Sequence, residues 1–166
     1  IGGGSTEFIL GEKEEILEAA SHYCGGVSWT LRFFPDGQVT RQRFETAVLA
    51  ARREIGNDMR RFRGHYSVAL GSSGTINAIE RIVVGMGWSD EGITEASLQH
   101  LETFLISEGS LDKKKVPFDV SADRLQVLPG GVAILRAVFR TLRVEWMSAV
   151  PTALREGVLL DLWGRK

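Results

Sequence analysis

Disulfide chemistry within the chain is excluded by scarcity, because Cys24 is the one cysteine in the sequence. That usage suits a reducing, cytoplasmic setting, and it leaves the hydrophobic core to hold the fold. A surplus of either charge is also lacking. Twenty Lys and Arg face 21 Asp and Glu, for a net charge of −1. Bulk electrostatics therefore cannot recruit nucleic acid or an anionic membrane, and a polyanionic ligand would have to be held by local donors. No uninterrupted apolar run approaches the roughly 20 residues of a membrane span, and no charged-then-apolar leader is present. An initiating methionine is missing too: Ile1 runs straight into glycines, which reads as a truncation or a proteolytic end. What remains is ordinary for one globular domain: 166 residues, 43% hydrophobic and 25% charged.

The residue pattern predicts strands over Thr6–Leu10, Glu15–His22 and Val27–Phe34, with Gly25-Gly26 between the last two; Ala19-Ala20 would equally suit a helix. After the turn Pro35-Asp36-Gly37 the period changes. Phe44, Val48, Ala51, Ile55, Met59 and Phe62 form one face of a long helix capped by Thr40. Its other face carries Arg41, Arg43, Arg52, Arg53, Arg60 and Arg61, most simply a solvated surface. A strand over Tyr66–Leu70 leads into a helix with Ile76, Ile79, Ile82, Val83 and Met86 inward. Thr94 caps a helix bearing Leu98, Leu101 and Leu105. A lysine-rich loop at 112–117 follows, then a helix from Ser121 or Asp123 that runs through Pro129 to Leu142. A strand over Val144–Val150 and a final helix capped by Thr152 complete the order. This is an α/β domain over 1–166, and short turns between its first strands favour a mixed sheet.

Two glycine-and-hydroxyl loops carry the chemistry. In Gly2-Gly3-Gly4-Ser5-Thr6, successive glycines allow backbone N–H groups to approach an anion closely; on composition alone the same string also reads as a flexible linker. Gly71-Ser72-Ser73-Gly74-Thr75 sits between a predicted strand and a predicted helix, where a helix N-terminus favours phosphate, or simply caps a helix start. Neither is a Walker loop, since no Gly-Lys-Ser/Thr follows, and Thr75 stands where a nucleophile elbow needs glycine. His22, His65 and His100 show no zinc spacing. Glu7, two residues past the first loop, is a carboxylate that could orient water or hold hydrated Mg2+, and taken alone it reads more simply as a surface glutamate.

The strings Ile1–Glu7, Gly71–Thr75, Arg124 with Leu128–Leu135, and Ala153–Leu162 occur in one order and nearly span the chain. Together they resemble the exopolyphosphatase / guanosine pentaphosphate phosphatase (Ppx/GppA) family of the actin-like ATPase superfamily. The resemblance implies a ribonuclease H-like lobe, a mixed sheet flanked by helices, that forms the second half of a two-lobe phosphatase with its active site in the cleft. It implies that Gly3, Gly4 and Ser5 hold phosphoryl oxygens from a hairpin turn between the lobe's first two strands. Glu7 would be catalytic, positioning the attacking water or the metal, with Mg2+ as the expected cofactor and no metal ligands assigned. Gly71, Ser72, Ser73, Gly74 and Thr75 would face the polyphosphate chain or guanosine nucleotide, and Arg124 is a candidate substrate contact. Gly130, Gly131 and Ala133 resemble a small-residue hinge face that packs on the other lobe, and Arg155-Glu156-Gly157 a structural hallmark.

The expected reaction is release of terminal phosphate from inorganic polyphosphate, or from guanosine pentaphosphate; a non-catalytic polyphosphate-binding or dimerisation module and, more weakly, a sugar kinase are the alternatives. The family's first lobe, and the aspartate that precedes the motif's Ile, have no counterpart in these residues. The chain alone is accordingly expected to be inactive, with exposed apolar surface near 130–135 where the first lobe docks. Partners implied are the phosphorylated substrate, that lobe and a homodimer mate, with no membrane and no nucleic acid.

Overall fold

The computed structural model describes residues 1–13, 15–56, 58–110 and 120–150. The predicted loop at 112–117 and the helix capped by Thr152, with its Arg155-Glu156-Gly157, lie outside the described residues. The first two strands, β1 (Thr6–Glu12) and β2 (Glu15–His22), pair antiparallel with Glu7 opposite Ser21 and a register shift at Leu10/Gly11. Alternation sends Thr6 and Phe8 inward and leaves Glu7 exposed, as a strand with one buried face requires.

The segment predicted as a third strand is instead a helix, α1 (Gly26–Phe33). Period-two reading fails there because Val27 and Leu31 are exposed while Gly26, Trp29 and Thr30 are buried, a spacing of one helical face. Its start is satisfied from a distance in sequence. Gly26 N donates to the Gly2 carbonyl at 2.8 Å, and the N–H groups of Val27 and Ser28 both donate to Gly3 O at 3.1 Å. Trp29 Nε1 then anchors the helix to Ala47 O at 3.0 Å.

The long helix predicted to Phe62 ends early. Thr40 caps α2 (Arg41–Ile55) by accepting from Arg43 N, and a 3-10 turn over Asp58–Arg61 follows Gly56. Met59 and Phe62 are still buried, so the apolar spacing marked the core correctly but not the backbone that delivers it. The arginines opposite are solvated, with Arg43 paired to Asp36 and Arg61 to Glu18 and Asp58.

The strand predicted over Tyr66–Leu70 is reduced to β3 (Leu70–Gly71). After it come α3 (Gly74–Gly85), β4 (Ile93–Thr94), α4 (Glu95–Glu108), α5 (Ala122–Leu142) and β5 (Trp146–Ala149). β5 lies between β3, to which it is parallel, and β4, to which it is antiparallel, so the sheet is mixed. Thr94 caps α4, and Leu98, Leu101 and Leu105 are fully buried, each worth about 1.5–3 kcal/mol of apolar transfer.

The central element is α5, which packs on α1, α2, α3 and α4. It is long and apolar enough by composition to cross a membrane, yet 78% of its most apolar window is buried inside the domain, which makes it a core helix. Its buried Arg136 is neutralised by Glu102 at 2.7 Å and Glu95 at 2.5 Å. Residues 130–135 are all buried, so the exposed apolar surface expected there is absent. The reason is α1: a methyl group on Gly130 would stand 2.5 Å from Thr30 Oγ1 and 2.6 Å from the Gly26 carbonyl oxygen. The small-residue face thus accommodates a helix of the same chain.

Candidate active site

The first loop is sewn to the start of α1 through the carbonyls of Gly2 and Gly3. In a planar trans peptide the N–H points opposite to the carbonyl. The N–H groups of Gly3 and Gly4 therefore point away from α1, on the exposed side, and neither has an acceptor among the described residues. Gly25 makes this approach sterically feasible. A methyl group there would fall under 3.0 Å from the Gly3 carbonyl and the Gly4 nitrogen, all of them backbone atoms.

Glu7 stands beside this loop with one carboxylate oxygen held. Its Oε1 accepts from Ser5 Oγ at 2.5 Å and from Ser21 Oγ at 3.4 Å across the β1–β2 pair. The Ser5 hydroxyl proton is thereby committed to Glu7, leaving the loop's backbone N–H groups as the donors for an anion. Glu7 Oε2 carries no hydrogen bond from the described residues.

The second loop is built around the cap of α3. Ser73 Oγ accepts from Ile76 N at 3.1 Å, which leaves the first two N–H groups of the helix, Gly74 and Thr75, without a capping acceptor and at the positive end of its dipole. Arg124, exposed in the first turn of α5, lays its guanidinium where a side chain at Gly74 would have to be. No carboxylate pairs with it among the described residues. Ser72 is exposed, whereas Gly71 is buried and leaves no room for a methyl, which would collide with Ile76 and with Met147 Sδ.

Gly26 joins the two loops. A methyl group on it would lie 3.5 Å from Thr75 Oγ1 and 3.8 Å from the Gly2 carbonyl oxygen. Thr75 is wedged further against Gly131, so its side chain serves packing between α1, α3 and α5. Both glycine loops, Glu7 and Arg124 are thus gathered around one end of the fold. Gly130, Gly131 and Ala133 lie beneath them in the core.

Sequence reasoning missed Ser21, Gly25 and Gly26. Ser21 was findable only through the strand register, and the glycine pair was read as a connection between strands. Among the described residues no three His, Cys, Asp or Glu side chains gather into a metal cage. His22 is buried beside Phe8 at 5.7 Å and His100 lies against Trp88 at 5.9 Å, both packing roles. Glu7 alone suits a hydrated Mg2+, which proteins commonly hold through one or two carboxylates together with substrate phosphates.

A family model described as Ppx/GppA phosphatase matches residues 1–166. The chain belongs to the Ppx/GppA phosphatase family. Within it, the chain is similar to the guanosine-5'-triphosphate,3'-diphosphate pyrophosphatases of Aeromonas hydrophila and Aeromonas salmonicida. It is 37% identical to each, over 99% of its own length and 33% of theirs. The chain therefore spans about a third of the length of the curated relatives it matches. Among solved structures, the Ppx/GppA enzyme of Aquifex aeolicus superposes with a TM-score of 0.79 at 22% identity, covering 96% of this chain and 54% of that one. An exopolyphosphatase from Cytophaga hutchinsonii gives 0.78 at 19%, covering 98% and 55%. These likenesses establish the α/β actin-like fold of Ppx/GppA phosphatases for this chain.

Proposed function

We propose that this chain is the second, phosphate-holding lobe of a two-lobe enzyme that hydrolyses a terminal phosphoanhydride bond. The observation that carries the reading is the pair of outward N–H groups at Gly3 and Gly4 beside a carboxylate with one free oxygen. Phosphoryl transfer asks a protein for positioning and charge stabilisation more than for covalent help.

In the proposed reaction the first loop's N–H groups hold oxygens of the transferred phosphoryl group, while Gly74 N, Thr75 N and Arg124 hold the phosphate chain behind it. Glu7, fixed through Oε1 by Ser5, accepts a hydrogen bond from the attacking water at Oε2. Water oxygen bonds to the terminal phosphorus and the anhydride P–O bond breaks in line. The bonding pair stays with the leaving phosphate oxygen, and the water proton passes toward Glu7. A Mg2+ held through water by Glu7 would supply charge neutralisation on the phosphate oxygens. The first lobe closes the opposite side of the cleft.

For the substrate, guanosine pentaphosphate has the stronger support, because both relatives at 37% identity carry that activity in their names. Inorganic polyphosphate uses the same machinery with a different leaving portion and stands second; the exopolyphosphatase likeness, at 19% identity, bears on the fold alone. The test is kcat/KM for phosphate release from each substrate by the parent polypeptide with Mg2+. Preference for guanosine pentaphosphate supports the assignment, preference for long-chain polyphosphate reverses it, and release from neither rejects the hydrolase.

A further inference from the structure

α5 contains a gap in its own hydrogen bonding. Pro129 lies inside the helix and has no N–H, so the carbonyl four residues before it, on Leu125, loses its ladder donor. A proline in that place weakens or kinks a helix at the preceding turn. The weakened turn is the one that carries Arg124, five residues before Pro129, to the N-terminus of α3. Leu125 and Leu128 bury its apolar side, but apolar contact is non-directional and does not fix where an exposed guanidinium stands.

A side chain of another helix bridges the gap. Thr30, buried in α1, donates its hydroxyl proton to the Val127 carbonyl at 3.1 Å and accepts from Gly130 N at 3.1 Å. One hydroxyl thus straddles Pro129, with its single donor and one of its acceptor sites in use. Only glycine admits so close an approach: a methyl group on Gly130 would fall 2.5 Å from this same oxygen and 2.6 Å from Thr30 N. The first turn of α1 also donates to the Gly2 and Gly3 carbonyls. α1 therefore holds both anion-facing parts of the site, the first loop by its backbone and the start of α5 by Thr30.

We infer that Thr30 is a positioning residue for Arg124: its hydroxyl fixes the proline-interrupted turn of α5 and so sets where the guanidinium stands at the N-terminus of α3. The inference rests on the proposed function in taking Arg124 to hold a substrate phosphate. Thr30 is itself buried and acts only through Val127, Gly130 and the turn between Arg124 and Pro129.

The test uses the parent polypeptide with Mg2+ and whichever it prefers of guanosine pentaphosphate and long-chain polyphosphate. Thr30→Val keeps the side chain's shape and removes both bonds; it should raise KM by about tenfold, with kcat changing less. Thr30→Ser keeps the hydroxyl and should restore the wild-type KM. In an Arg124→Ala background Thr30→Val should add no further rise, since the group it positions is gone. Amide hydrogen exchange over Arg124–Leu128 should quicken about tenfold or more in Thr30→Val, while that over Leu101–Leu105 of α4 holds. If Thr30→Val does not fold, Thr30→Ala, which leaves room for water at both orphaned groups, takes its place. An unchanged KM in Thr30→Val beside a raised KM in Arg124→Ala overturns the inference, and so does a full further rise in the double variant. If the parent releases phosphate from neither substrate, or Arg124→Ala leaves KM unmoved, the proposed function is what has failed. Exchange then decides by itself: faster exchange over Arg124–Leu128 upholds the role of Thr30, and unaltered exchange overturns it.

Discussion

Replacing Gly25 with alanine tests whether the phosphate loop owes its shape to the start of α1. Backbone conformation does not forbid the change, because Gly25 sits at φ −126° and ψ 161°, ordinary extended geometry. The obstacle is space. The new methyl would fall under 3.0 Å from the Gly3 carbonyl and the Gly4 nitrogen, and ordinary contact begins at 3.4 Å. Neither neighbour is a flexible side-chain tip, so loop or helix must give by several tenths of an ångström to about 1 Å. Overpacking of this kind costs about 1–3 kcal/mol. In a domain of this size that lowers Tm by roughly 2–12 °C. A displacement near 1 Å in groups that position a substrate costs about 100-fold in rate. Gly4→Ala is the control for stability alone: a methyl there meets nothing within 4 Å. Thermal unfolding of the chain and kcat of the parent are the assays. If Gly25→Ala leaves Tm no lower than Gly4→Ala does and kcat at the wild-type value, the coupling of the loop to α1 is wrong.

Three other outcomes follow from the same geometry. Glu7→Gln keeps the bond from Ser5 but loses the proton acceptor, and should lower kcat by about 100- to 10,000-fold with KM little changed, measured by phosphate release from the parent. Arg124→Ala should raise KM by about 10- to 100-fold, the loss of one charge-assisted phosphate contact, while Tm holds because the side chain is exposed. Burial pushes the Cys24 thiol up from 9.0 to about 11, so the folded state holds that proton more tightly than the unfolded chain. Its contribution to stability is complete below pH 9 and is lost as pH rises toward 11; denaturant midpoints of wild type and Cys24→Ala should converge over that window.

Much of the fold was legible wherever the signal was local. Thr40 and Thr94 announce helix starts because their hydroxyls cap residues three positions on, and the inward Ile and Leu spacings of α3 and α4 follow from their own periodicity. α1 was not legible, because the acceptors for its first N–H groups belong to Gly2 and Gly3, more than twenty residues earlier. Val27-Ser28-Trp29-Thr30 carries β-prone side chains, and tertiary capping overrides that preference. The turn after Ile55 escaped for a related reason: Met59 keeps the helical spacing although Gly56 has already ended the helix.

The site divides the same way. Gly3, Gly4, Glu7 and the Gly71–Thr75 loop stand out in the sequence only together, because each string alone also reads as a linker or a helix cap and their order along the chain is what links them. The parts that hold them do not. Ser21 reaches Glu7 only through strand register, and Gly26 matters only because two loops and a helix meet at its α-carbon. Gly130 and Gly131 were expected to pack on another lobe; in the fold they meet Thr30, Gly26 and Thr75 of the same chain, a partner that their own spacing could not name.

The proposed reaction depends above all on the N–H groups of Gly3 and Gly4 holding a phosphoryl group. The most direct measurement is a titration of the parent polypeptide, labelled with 15N-glycine and carrying Glu7→Gln to block turnover, with tripolyphosphate and Mg2+. Saturable shifts of the Gly3, Gly4 and Gly74 amides that share one binding constant are expected, with Gly37 and Gly64 unmoved. Saturation with the Gly3 and Gly4 signals unmoved would contradict the proposed reaction and place the phosphate elsewhere.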